Sequence, residues 1–225
     1  MSNPLLEDHL LPPFSSIKTE HIVSAIKELI DNNRNFVLQQ LKEVESPSWE
    51  NFIQPIDEVS NKLSKAFSPV GHMNSVVNSP ELREAYEKCL PMLSELSTEL
   101  GQNKDLYEVY VKLSESPDYA NYSQAQKKTI EDGLRDFKLS GIALPEDKQK
   151  RFGELKKRLS ELSSKFSNNV LDATMAWTKN VKSSDDLKGL PESALDAAKA
   201  AAEAKELEGY LFTLDYPSFF PIMTY

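Results

Sequence analysis

Residues 145–181 read PEDKQKRFGELKKRLSELSSKFSNNVLDATMAWTKNV, and this stretch decides the fold class. Phe152, Leu155, Leu159, Leu162, Phe166, Val170, Ala173 and Trp177 recur at steps of three or four, with one longer gap allowed nowhere between them. That is the period of one face of an α-helix. Glu154 with Arg158, and Glu161 with Lys165, are acid-to-base pairs at i,i+4 that would support the exposed side. The spacing predicts one helix from Pro145 to about Val181, roughly 54 Å long at 1.5 Å per residue. A globule of this chain length has a radius of gyration of about 17 Å. The expectation is therefore an elongated helical wall. The apolar row also has coiled-coil character, but it lasts under four heptads, and a partner helix from the same chain is the expected neighbour.

Working outward, most of the chain carries the same period. Thr19 can cap a helix whose apolar residues run from Ile22 through Ile26, Ile30 and Val37 to Val44. Ser48 opens the next, with Trp49, Phe52, Ile53, Ile56, Leu63 and Phe67 on one side; Pro55 should bend it near its first turns. Ser79-Pro80-Glu81 is a further start signal, a hydroxyl cap followed by a proline and an acid in the first turn. The apolar face that follows includes Leu82, Tyr86, Cys89, Leu93 and Leu96, and Gly101 provides a stop. A short helix around Leu106–Leu113 precedes one from Ser123 to Ser140, where Ser123 and Gln126 have capping-box spacing and Gly141 closes the segment. After Pro191 comes an alanine-rich helix. The fold class read from this pattern is all-α, elongated and multi-helical, with a strand-like segment near residues 210–215, where Leu211, Thr213 and Asp215 alternate with Phe212 and Leu214. Pro217 and Pro221 break the aromatic stretch that follows, and a single strand needs a partner for its backbone groups.

Composition narrows the function classes. Lys and Arg number 26 against 35 Asp and Glu, a formal charge of −9, which disfavours nucleic-acid and anionic-membrane partners. No apolar run approaches the roughly 18 residues that span a bilayer. The N-terminus, MSNPLLEDHLLPPF, lacks a basic region and is not read as a signal peptide. One cysteine fits a reducing compartment. A cytoplasmic protein is expected.

The residues with chemistry do not assemble into a motif. Cys89 lies on the apolar side of its helix, where a thiol behaves as a small hydrophobe. His72, near Gly71, has no oxyanion-hole signature beside it. A cysteine hydrolase built on Cys89 would predict loss of activity in Cys89→Ala, and no such activity is expected. His9, His21 and His72 fall in none of the zinc spacings, and His21 is expected at a helix end or in solvent. Seven glycines, scattered singly, form no phosphate cradle. The adjacent acids Asp57-Glu58 and Asp185-Asp186 read as solvated pairs.

Several stretches, in one colinear order, carry a resemblance. They are NPLLEDHLLPPFSSIKTEHIVSAI, SWENFIQPIDEV, FSPVGHMNSVVNSPELREAYEKCLPMLSEL, the run from LRDFKLSGIALPEDKQK to ATMAWTK, and AEAKELEGYLFTLDYPSFFPIMTY. Together they resemble the N-terminal portion of the thimet oligopeptidase family of zinc metallopeptidases, in particular its bacterial oligopeptidase A branch. The resemblance implies a mostly helical fold with a deep channel between two lobes. It implies hydrolysis of short peptides by a zinc ion on the two histidines of H-E-x-x-H and a downstream glutamate. That motif is absent from these 225 residues. Hence no catalytic, metal or cofactor-binding residue is assigned here, and zinc is expected only in the parent protein. Residues 1–225 are expected to be the N-terminal helical, channel-wall region of a larger peptidase, limiting substrate size and inactive alone. Its expected partners are short peptide substrates in the parent and the remainder of the same chain, with no nucleic acid and no membrane. The alternative is a self-contained helical adaptor that presents grooves to partner helices.

Overall fold

A computed structural model describes residues 3–225. The described chain is mostly all-α: eight helices and one two-stranded antiparallel sheet. The helices are α1 (Thr19–Glu43), α2 (Gln54–Val76), α3 (Pro80–Gly101), α4 (Lys104–Glu115), α5 (Gln124–Leu139), α6 (Glu146–Ala176), α7 (Glu192–Glu203) and α8 (Tyr216–Thr224). Strands β1 (Thr178–Val181) and β2 (Tyr210–Thr213) pair with Thr178 opposite Thr213 and Val181 opposite Tyr210. Two compact units divide the chain, Met1–Glu161 and Leu162–Tyr225.

Local chemistry explains most helix ends of the first unit. Ser48 and Asn51 exchange reciprocal bonds: the Asn51 N–H donates to Ser48 Oγ at 3.3 Å and the Ser48 N–H to Asn51 Oδ1 at 2.7 Å. Ser123 and Gln126 do the same at the start of α5. At the other end of α5, Gly141 takes φ +84°, the Ile142 N–H donates to the Phe137 carbonyl and the Gly141 N–H to that of Lys138, both at 3.1 Å. This is a Schellman ending with Ile142 and Phe137 as its apolar contact, both buried.

Two apolar clusters fill this unit. In the first, Ile22, Ile26 and Ile30 of α1 meet Leu63 and Val70 of α2 and Leu82, Cys89 and Leu96 of α3. Phe67 and Tyr86 stack at its edge, 5.3 Å between ring centres. In the second, Val37, Phe52, Ile53 and Ile56 meet Leu106 and Leu113 of α4 and Ile130 and Phe137 of α5. The approach of α4 to α5 depends on Gly133, where a Cβ would lie 2.5 Å from Tyr110. In the second unit, Ala198 and Ala202 of α7 are buried with Leu211 and Phe212 of β2. The alanines thus serve close packing rather than helix propensity alone.

Several sequence expectations need correction. Thr19 is the first residue of α1 rather than its cap; the cap position is Lys18, whose N–H donates to the His21 ring at 3.1 Å. Around Pro55 the irregularity is a π turn over Trp49–Ile53, with Pro55 in the first turn of α2. The α2 pattern also continues past Phe67 to Val76, carrying Pro69 inside the helix. Helix α3 stops at Gly101 as expected, though without the positive φ of a glycine cap; the residue is small because a Cβ there would lie 2.7 Å from Ser140 Oγ. The long helix ends at Ala176, not Val181, because residues 178–181 pair with β2 and satisfy its backbone. Residues after Asp215 form α8, with Pro217 in its first turn, where a missing N–H costs nothing. On α6, Arg151 pairs with Glu154 and Arg158 with Glu161 at i,i+3, in place of the expected i,i+4 pairs. Finally, the apolar row of α6 does not find a covering helix: Leu155, Leu159, Leu162, Phe166, Val170 and Trp177 are all exposed among the described residues.

Candidate functional site

Cys89 and His72 sit in different environments. Cys89 is 0% exposed within the first cluster, and its thiol donates to the Ala85 carbonyl at 3.3 Å. Burial pushes its pKa up to about 11. His72, on α2, is exposed, with the Phe14 ring 5.7 Å from its own. No hydrogen bond between the two is present among the described residues, and a thiol held neutral cannot serve as a nucleophile. The thiol should therefore stay unlabelled by an aromatic disulfide reagent at pH 8 in the native chain and react at once after unfolding. Because the folded pKa is raised, the thiol favours the folded state below its unfolded pKa, and that contribution is lost as pH rises toward about 11. Rapid native labelling at pH 8 would contradict the buried placement.

The other histidines have structural work. His9 and His21 line one hollow with Glu7, Pro13 and Lys18. His21 Nδ1 accepts the Lys18 N–H at 3.1 Å, as its expected place at a helix end suggested. His9 Nε2 donates to the Pro4 carbonyl at 3.1 Å and lies 3.6 Å from Glu7. Zinc ligation asks for unprotonated ring nitrogens that converge at about 2.0–2.1 Å from one point. His21, with Nδ1 accepting an N–H, carries its proton on the other nitrogen and has no lone pair left for a metal, so His9 Nδ1 is the one free imidazole lone pair in this hollow. Among the described residues no group of three or more His, Cys, Asp or Glu side chains is disposed to hold a metal.

The acid pairs are exposed. Gln54 donates to Glu58 at 3.0 Å, and Asp185 lies 3.7 Å from Lys188. The firmest ion pairing between helices is Arg34 of α1 with Glu99 of α3, at 2.8 Å, with Asp31 at 2.9 Å on the same guanidinium. It fixes helix register and offers no reacting group.

Three further hollows lie among the described residues. One, of about 250 Å³, lies under the N-terminal arm and is lined by Leu5, His9, Pro13, Leu29, Lys62 and Pro69. A second, of about 460 Å³, is lined by Ser94, Glu95 and Thr98 of α3 and by Gly153, Glu154 and Lys157 of α6. A third, of about 560 Å³ in the second unit, is mainly apolar, with Trp177, Val181, Leu190, Phe212, Ile222 and Tyr225. None of these three joins a nucleophile to a base. The third hollow is not legible in the sequence, because Pro217 and Pro221 hide the helix α8 that brings Ile222 to it.

Comparison with known proteins supplies what the side chains do not. The profile of the neurolysin/thimet oligopeptidase N-terminal domain matches residues 26–150. All of the chain aligns with oligopeptidase A of Haemophilus influenzae at 58% identity and with that of Escherichia coli at 56%, in each case over 33% of the relative. Saccharolysin of Saccharomyces cerevisiae is 27% identical over 94% of the chain and 30% of its own length. The chain thus spans about a third of the length of the curated relatives it matches. No helix among the described residues is long and apolar enough to cross a membrane. The chain belongs to the thimet oligopeptidase family and corresponds to the N-terminal third of its bacterial oligopeptidase A members.

Proposed function

We propose that these 225 residues are the N-terminal, channel-wall part of a cytoplasmic zinc-dependent oligopeptidase that hydrolyses short peptides. The observation that carries this reading is the uninterrupted match of the whole chain, at 55–58% identity, to bacterial proteins named oligopeptidase A. The role of this part is steric. Rigid helices tied by two apolar clusters form a wall that admits a short, unfolded chain and rejects a folded one. Zinc and the residues that hold it belong to the remainder of the parent in this reading, since H-E-x-x-H does not occur in residues 1–225. A single buried cysteine accords with a reducing compartment.

The test compares the full-length parent with the 225-residue chain on a quenched-fluorescent peptide of about ten residues. The parent should cleave it, lose activity in a chelator and regain it with zinc; the short chain should cleave nothing. Chelator-sensitive cleavage by the short chain, or none by the parent with zinc, would refute the proposal. A parent without peptidase activity whose partners bind through helical grooves would instead be the adaptor.

A further inference from the structure

The N-terminal arm is tied down at both ends and hollow beneath. Leu5 and Ile17 are buried in the first apolar cluster. The Asn3 side chain accepts the Leu5 N–H at 3.1 Å and donates to the His21 carbonyl of α1 at 2.8 Å. Between these anchors the arm and α2 border the hollow of about 250 Å³, and its lining is of three kinds. Leu5, Leu29, Ala66 and Pro69 give it an apolar floor. Lys62 and Lys65 stand on the α2 side, and Glu7, Asp8 and His9 on the arm side. Lys62, Lys65 and Asp8 form no ion pair or side-chain hydrogen bond among the described residues. Elsewhere in the chain such charges close on one another, as Lys88 does on Glu84 at 2.7 Å. Here opposite charges line one apolar hollow and stay apart. Leu10, which also lines it, is 100% exposed.

We propose that this hollow binds a small zwitterion with an apolar side chain, a free amino acid of the leucine type. The inference stands independently of the peptidase reading. Charge selects the ligand class. A simple anion would suit the lysines but meet the carboxylates of Glu7 and Asp8, and a metal cation would meet two ammonium groups; like-charge juxtaposition disfavours both. A zwitterion meets each side with the opposite sign. Its carboxylate accepts from Lys62 and Lys65, and its ammonium donates to Glu7 and Asp8. An ammonium has three donors, and His9 Nδ1 is a third acceptor, because Nε2 carries the proton given to the Pro4 carbonyl. The apolar side chain lies on the floor of Leu5, Leu29, Ala66 and Pro69. Size agrees with this class. Pockets for drug-sized ligands run to about 300–1,000 Å³. A hollow of about 250 Å³ suits a smaller molecule. The α2 side is a rigid wall and the arm an adaptable one, and Leu10 is free to fold over the bound side chain.

The experiment titrates leucine into the full-length protein carrying labelled leucine methyls and follows their resonances. The expected result is saturable shifts at Leu5, Leu10 and Leu29, with Leu113 and Leu211 unmoved. Leucinamide lacks the carboxylate, N-acetylleucine the ammonium and glycine the side chain, and each should bind at least about tenfold more weakly. Lys62→Gln with Lys65→Gln, and separately Asp8→Asn, should weaken leucine by about tenfold. All three positions are exposed, and an unchanged methyl spectrum away from the hollow shows that the variants fold. Lys104→Gln with Lys112→Gln makes the same change of net charge at exposed sites elsewhere and should leave the affinity as it was. No saturable shift up to about 10 mM leucine would overturn the proposal. So would shifts confined to other leucines, equal binding of any of the three analogues, or an affinity that the Lys62, Lys65 and Asp8 variants leave unchanged.

Discussion

Phe52→Ala should cost the chain about 3–5 kcal/mol of stability, the range for removing a buried phenylalanine ring and leaving a cavity. Phe52 is 0% exposed and sits on the π turn that leads into α2, packed with Val37, Leu113, Ile130 and Phe137. The cluster draws on α1, α4 and α5, so no single element can move in to fill the gap. Urea denaturation monitored by circular dichroism would measure the loss as a lower midpoint at an unchanged slope. Leu38→Ala, on the exposed side of α1, should stay within about 0.5 kcal/mol of the parent value. A loss below about 1 kcal/mol for Phe52→Ala would mean that the second cluster is not packed as described.

Gly209→Ala should have a comparably large effect, confined to the second unit. Gly209 has φ +92°, and a Cβ there would strike the carbonyl oxygen of Val181. The approach is held by Asn180, whose side-chain amide donates to the Glu208 carbonyl at 3.0 Å and the Tyr210 carbonyl at 3.3 Å. The unfavourable φ costs roughly 1–2 kcal/mol and the clash with backbone about 1–3 more. Together they should raise the opening equilibrium of the β1–β2 pair on the order of 100-fold. Hydrogen exchange would show this as lost protection at residues 178–181 and 210–213, with α1–α3 unaffected. Gly71→Ala is the matched control. It is helical and its Cβ would make an ordinary 3.7 Å contact with Tyr86, so it should be neutral or mildly stabilising. Undisturbed exchange in Gly209→Ala would remove the argument for a close β1–β2 crossing.

What was legible in the sequence is what local chemistry controls. Ser48, Ser79 and Ser123 each accept a backbone N–H where a capping hydroxyl was expected, and Gly141 has the left-handed φ that a helix stop requires. The all-α class followed from these ends and the period between them. The cap at Lys18 and the i,i+3 pairs of α6 are local departures, and the larger misreadings are cases where a distant segment decides. Thr178–Val181 continues the helical spacing of α6, and only Tyr210–Thr213, some thirty residues later, makes it a strand. Helix α3 does end at Gly101 as expected, but the close approach of Ser140 that requires a glycine there cannot be seen in a linear reading. The apolar row of α6 predicted a covering helix from the chain, and the described residues leave it bare. For the site, the sequence excluded Cys89 on its apolar helix face, and its burial at 0% exposure explains why. The third hollow needed α8, which carries Ile222 and leads to Tyr225 and which two prolines disguised.

The most direct measurement is the coding sequence beyond the codon for Tyr225. The account predicts an open frame that continues for about twice the length already in hand and reaches H-E-x-x-H on a helix, with a glutamate further on. A stop codon directly after Tyr225, or a long continuation without that motif, would contradict it.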